Sequence, residues 1–143
     1  MTSAELNALL TAADFNCGDI QFSDRAYVCP MKDWVLGEFA EAFRRQRQVF
    51  KVDNYEPESN DCDDFARDAV TFAEKLHVRT GEHRDAALAI GLLHYTRDAG
   101  GAHAVNLWAV DNNGTREIIV VEPQTGQEIK LSESERICDL IQF

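Results

Sequence analysis

Basic residues are scarce in this chain. It carries 14 Lys and Arg against 25 Asp and Glu over 143 residues, a net charge of −11. A surface of that sign repels phosphate backbones, so ordinary nucleic-acid binding is disfavoured. The bland consequence is solubility; the sharper ones are cation binding or an acidic face that blocks a basic protein. Long apolar runs are also missing. None approaches the roughly 18 residues needed to span a bilayer, so no membrane role is expected. The start, Met1 to Asn7, lacks the basic segment and apolar stretch of a signal peptide. Cytoplasmic residence is therefore expected, with lysis or an export machine as routes of release. Cys17, Cys29, Cys62 and Cys138 include no C-x-x-C pair, which argues against a zinc ribbon or a thioredoxin-type dithiol. Cys17 and Cys29 could pair in an oxidising compartment, but reduced, mostly buried thiols are the expectation.

What is present reads as one globular domain, 1–143, with 45% hydrophobic residues and no repeat or linker. Ser3 to Ala13 is predicted helical. Trp34, Val35, Phe39, Ala42 and Phe43 recur at helical spacing, and Arg44, Arg45 and Arg47 suit the negative end of that helix. Val49 to Val52 reads as a short strand and Asp53 to Asp61 as a loop. The longest helix is expected from about Cys62 to Val78, stopped by Gly81. Ala86 to Thr96, Ala102 to Val110, Thr115 to Glu122 and Gln127 to Leu131 read as strands. Ser132-x-x-Glu135 is a capping box that predicts a short last helix with Ile137 and Leu140. Helices first and strands afterwards indicate an α+β class, with N-terminal helices packed on a small antiparallel sheet.

Three residues stand out chemically. Cys62 lies where an acidic turn passes into a helix, and a helix N-terminus favours the reactive thiolate. Cysteine is equally at home in a core, and Cys62 also belongs to the apolar stripe of its helix. His103, on a strand, is the candidate base, and Glu122, on the next strand, the candidate orienter. A two-residue loop at Asn112-Asn113 sets His103 opposite Glu122. A turn at Asn113-Gly114 sets it opposite Gln124 with Glu122 diagonal. Both registers place His103 and Glu122 on one sheet face. Asn106 falls on the other face. Asp61, Asp63 and Asp64 oppose thiolate formation by like charge. They either cap the helix or, with Glu56, Asn60 or Asp68, supply oxygen ligands to Ca²⁺ or Mn²⁺, which would reverse the local field. His77, His83 and His94 lack metal-ligand spacing.

The strings Asp61-Cys62-Asp63-Asp64-Phe65-Ala66, His103-Ala104-Val105-Asn106 and Glu122-Pro123-Gln124-Thr125-Gly126 resemble papain-like (transglutaminase-like) cysteine peptidases. The likeness is to the calcium-activated catalytic domain of chimeric fungal agglutinins and related bacterial and phage proteins. It spans Asp61 to Gly126. It implies a papain-like fold, Cys62 as nucleophile, His103 as base, Glu122 as orienter, and Asp63 and Asp64 in the cation site. A peptide or protein substrate follows, cleaved at a peptide or amide bond through a thioester. No lectin domain precedes the site, and the oxyanion-hole glutamine has only Gln48 as a weak counterpart. The alternatives are a peptidoglycan amidopeptidase of the NlpC/P60 type, whose usual Cys-Ser-Gly is here Cys62-Asp63-Asp64, and a non-catalytic acidic binding or inhibitory module.

Overall fold

The computed structural model describes the chain apart from residues 57–59 and 82–84. Helix α1 (Ser3–Ala12) starts at Thr2, whose hydroxyl and the Glu5 carboxylate form a capping box. Strand β1 (Asn16–Gln21) follows, then the short β2 (Tyr27–Val28). The predicted Trp34-to-Phe43 helix is assembled in three pieces. A first turn, α2 (Lys32–Trp34), leads into a π-turn over Val35–Phe39 and then α3 (Ala40–Phe50). Val49 and Phe50, expected in a strand, belong to α3. The helix closes at Lys51, which is left-handed, and the Val52 N–H donates back to the Arg47 carbonyl. Helix α4 (Cys62–Thr80) ends at Gly81, at φ +70°. Strands β3 (Ala87–Leu88), β4 (Ile90–Thr96), β5 (Ala102–Asn112), β6 (Thr115–Glu122), β7 (Gln127–Ile129) and β8 (Ile137–Gln142) complete the chain.

Six strands form one sheet in the order β1-β8-β4-β5-β6-β7, and β2 pairs with β3 in a separate ribbon. The sheet is mixed, because β1 runs parallel to β8 while the other neighbours are antiparallel. This corrects the expected small antiparallel sheet. The expected last helix is also absent. Ser132 and Glu135 exchange both capping-box hydrogen bonds, 3.0 and 3.2 Å. Yet they close only a turn, and Ile137 onward is drawn between β1 and β4, where it has pairing partners on both sides. A local capping signal is worth about 1 kcal/mol; a strand with two neighbours gains more.

Apolar residues alternate along the central strands, so each sheet face has its own core. Leu6 and Leu10 of α1 pack with Leu93, Val105, Leu107, Val120 and Ile141. On the other face, Val35, Phe39 and Phe43 join Ala69 and Ala73 of α4 against Ile90, Trp108, Val110 and Val121. Helices thus cover both faces, where the sequence pattern predicted helices stacked on one sheet. No described helix is long and apolar enough to cross a membrane.

The thiols differ from expectation. Cys17 and Cys138 sit opposite one another in the β1–β8 ladder and form a disulfide, with Cα atoms 4.5 Å apart. Cys29 and Cys62 are free.

Candidate functional site

Cys62 is the first residue of α4. Asp61, just before it, is the N-cap. The Asp61 carboxylate accepts from the Asp63 N–H at 3.3 Å, and the Asp64 carboxylate accepts from the Asp61 N–H at 3.3 Å. Asp63 pairs with Arg67 one turn on, at 2.7 Å. A hydrogen bond between the Asp61 and Asp63 side chains holds the Asp61 carboxyl below its ordinary value and the Asp63 carboxyl above it. The Asp61 and Asp64 carboxylates therefore cap the helix start, and Asp63 pairs along the helix with Arg67. Asp68 and Asn60, named as further oxygen donors, instead clasp the Arg47 guanidinium. Among the described residues no group of three or more His, Cys, Asp or Glu could hold a metal ion.

His103 lies near the start of β5 and Glu122 at the end of β6. The hairpin turns at Asn113-Gly114, both at positive φ, with Asn112 opposite Thr115. This is the second of the two registers, so Glu122 sits diagonal to His103. The diagonal is still close enough: His103 Nε2 is 2.8 Å from Glu122 Oε2. Both side chains are largely buried, 12% and 17% exposed. The backbone turns back at once behind Glu122. The Gly126 N–H donates to the Glu122 carbonyl at 2.8 Å, and Gly126 is at φ +72°. A Cβ there would come within 2.7 Å of Ala40 Cβ, so the position admits only glycine comfortably. Because Nε2 faces the carboxylate, Nδ1 is the ring nitrogen left for another partner.

Sulfur and imidazole approach from different sides of β5. Ala104 packs with Cys62, Ala66 and Leu92, and the Asn106 side chain donates to the Ala66 carbonyl at 2.9 Å. Ala104 and Asn106 therefore face α4. His103 alternates to the face of Val105 and Leu107. The two groups share the end of the sheet rather than one face, and among the described residues no hydrogen bond joins them. Tyr95 spans this end. It pairs with His103 across the β4–β5 ladder, with ring centroids 5.8 Å apart at 69°. Burial holds the Tyr95 phenol above its ordinary value, and the Glu135 and Glu122 carboxylates add to the effect. Tyr95 thus lies within electrostatic reach of the Glu122 carboxylate that His103 contacts. The sequence reading missed it; an aromatic residue inside an apolar strand gives no signal until the cross-strand register is known.

Asn106 is 1% exposed and bonds α4 to the sheet. His77 Nε2 lies 2.9 Å from the Ala86 carbonyl. His83 falls outside the described residues. Gln48 lies on α3.

No protein-family model and no curated protein matches the chain. Solved structures do. A structure described as the PSL1a–E64 complex superposes at TM-score 0.74 with 24% identity, covering 100% of this chain and 50% of that one. A Polyporus squamosus lectin bound to the epitope Neu5Aca2-6Galb1-4GlcNAc superposes at 0.72 with 22% identity, covering 100% and 49%. At these identities the likeness is one of fold, and the chain spans about half the length of the structures it resembles.

These neighbours correct the earlier expectations. The fold is that of structures named for a lectin, and neither is named a peptidase. The assignment to the papain-like cysteine peptidases is therefore withdrawn. With it go the papain-like α+β fold, the peptidase or amidase activity on a peptide or amide bond, the NlpC/P60 alternative and the peptide or protein substrate.

Proposed function

We propose that the protein is a ligand-binding domain whose ligand sits at the end of the sheet where Cys62, His103 and Glu122 gather. The observation that carries this reading is the 2.8 Å contact between His103 Nε2 and Glu122 Oε2, with a free, half-buried thiol at the α4 start packed against Ala104, the next residue of the same strand. An imidazole oriented by a carboxylate, with its second nitrogen unspent, adds little to packing and much to recognition. The fold neighbours supply two ligand chemistries: a sialylated trisaccharide in one and E64 in the other. The side chains at this end of the sheet suit a ligand that bonds to sulfur.

The test is mass mapping after incubation with E64 or iodoacetamide. A single adduct on Cys62 that slows sharply in His103→Ala is the expected result. Equal, slow labelling of Cys29 and Cys62 would sink the reading.

Glycan binding is the second reading, and a different feature favours it. A cavity of about 350 Å³ beside α4 has polar groups from Asp24, Arg67, Glu74 and Gln142 around an apolar wall that includes Tyr27 and Phe143. Planar polar groups beside an aromatic wall suit the hydroxyls and C–H face of a sugar. Titration with Neu5Aca2-6Galb1-4GlcNAc, followed by amide NMR, should then shift Gln142 and Phe143 and leave His103 still. No shift at any concentration removes this reading.

A further inference from the structure

The face of the sheet that carries the thiol has an imidazole of its own. His94 of β4 lies directly across the ladder from Ala104 of β5, as Leu92 does from Asn106. Residues opposite one another in an antiparallel ladder point to the same side. Ala104 and Leu92 pack with Cys62 and Ala66, so His94 stands on the α4 side of the sheet. The level along the strands agrees. The Asn106 side chain holds the Ala66 carbonyl over the row of Leu92 and Asn106. Further along α4, Ala69 and Ala73 join Ile90 and Trp108, so the helix start points the other way, toward the row of His94 and Ala104. Cys62 is one turn before Ala66, about 5.4 Å along the helix axis, against roughly 6.6 Å between successive same-face rows of a strand. His94 is half-buried, and among the described residues its ring makes no hydrogen bond or ion pair. Its neighbour on the other side is Leu140 of β8, whose side chain offers none.

We propose that a ligand bonded to Cys62 lies on this face, over the row of Ala104, and that His94 gives it a hydrogen bond. The inference rests on the reading of Cys62 as the place where the ligand bonds. It adds the direction the ligand takes from the sulfur and the chemistry it carries. An imidazole presents one N–H in either tautomer, so a carbonyl or amide oxygen a few atoms from the sulfur suits it. A carboxylate does not suit this end of the helix. Asp61, Asp63 and Asp64 crowd the start of α4, and Arg67, one turn on, is already paired with Asp63 at 2.7 Å. The ligand is thus an uncharged electrophile with an amide or carbonyl beside the carbon that the sulfur attacks.

The experiment follows the four histidines one by one in two Cys62 adducts. Iodoacetamide carries an amide beside its reactive carbon; the thiol gives its proton to the buffer, the sulfur displaces iodide and an S–C bond forms. Methyl methanethiosulfonate leaves only a methylthio group; the sulfur forms a disulfide with it and methanesulfinate departs. In protein labelled at the histidine ε1 carbon, carbamidomethylation of Cys62 should shift His94 more than His77, His83 or His103, and the methylthio adduct should shift it less. An unmoved His94 in the carbamidomethyl protein, or a larger shift at His103, overturns the proposal. Rates give a second readout. His94→Leu should slow iodoacetamide at Cys62 about tenfold, the worth of one hydrogen bond, and leave the methanethiosulfonate rate within about twofold. His94→Gln keeps a side-chain N–H and should restore most of the rate. Equal slowing of both reagents, slowing of neither, or no rescue by glutamine overturns the proposal while leaving the site at Cys62 standing. If neither reagent selects Cys62 over Cys29 in the wild type, the site reading fails and this inference with it.

Discussion

Glu122 reaches His103 across a diagonal. Carried on from Asn106 opposite Val121, the β5–β6 ladder sets Gln124 at the level of His103, yet it is Glu122 Oε2 that lies 2.8 Å from the imidazole Nε2. The contact fixes which ring nitrogen is engaged, so its effect on Cys62 can be measured. Glu122→Gln keeps the shape and loses the charge. On the proposed reading of Cys62, His103 and Glu122 as one ligand site, alkylation of Cys62 should slow on the order of tenfold or more, since the imidazole loses the carboxylate that orients it. A time course by intact mass checks this; an unchanged rate removes Glu122 from the site.

Asn106 is a bolt between helix and sheet. Its side chain donates to the Ala66 carbonyl of α4 at 2.9 Å and to the Gly91 carbonyl of β4 at 3.3 Å, with no access to water. Asn106→Ala should cost about 2–3 kcal/mol through lost hydrogen bonds and a small cavity. Asn106→Asp should cost more, because a carboxylate would face two carbonyl oxygens. Urea unfolding measures both.

Arg47 does similar work for α3. Its guanidinium stacks 3.6 Å from the centre of the Phe65 ring, and it is paired with Asp68 and Asn60 while only 2% exposed. Arg47→Lys keeps the charge but not the flat face or the fork, and should lose about 1–2 kcal/mol; Arg47→Ala should lose about 2–4. Thermal melts of the two variants rank the contributions of plane and charge.

The Cys17–Cys138 bridge closes a loop with a sequence separation of 121. Loop-closure entropy gives such a bridge up to about 5 kcal/mol of stability. Unfolding in denaturant with and without a reductant should therefore differ by several kcal/mol, and Cys17→Ser should match the reduced protein. Coincident curves would show that β1 stays docked on β8 without it.

Acid should weaken the fold through exposed caps. Hydrogen bonds from Thr2 hold Glu5 below its ordinary value, and those from Ser134 and Ser132 do the same for Asp98. A carboxylate lowered in the folded state stabilises it above the unfolded pKa and loses that contribution as pH falls through the folded one. The ordinary values are 4.5 for Glu5 and 3.8 for Asp98, so the loss begins below these and grows toward lower pH. Melting temperature followed from pH 6 downward should fall, and Glu5→Gln with Asp98→Asn should flatten the slope.

Much of the local structure was legible. The α4 boundary at Asp61-Cys62, the Gly81 stop, the Asn-Gly hairpin and the shared face of His103 and Glu122 all depend on near neighbours in the chain, and the backbone expresses them locally. Other features depend on distant partners. The capping box at Ser132 promised a helix and delivered a turn, because β1 and β4 had an open place between them. Val49 and Phe50 looked like a strand, but they complete the last turn of α3 before the left-handed Lys51. Cys17 and Cys138 read as lone thiols until the parallel ladder set them side by side. Periodicity and capping by themselves determined where segments start, stop and show an apolar face, since those are forces between residues a few positions apart. Only the tertiary structure decided the mixed sheet, the two cores, the opposite sides of β5 on which sulfur and imidazole lie, and the fold neighbours that displaced the peptidase reading. Each of these depends on which strands find each other across a hundred residues, and nothing in a local pattern encodes that choice.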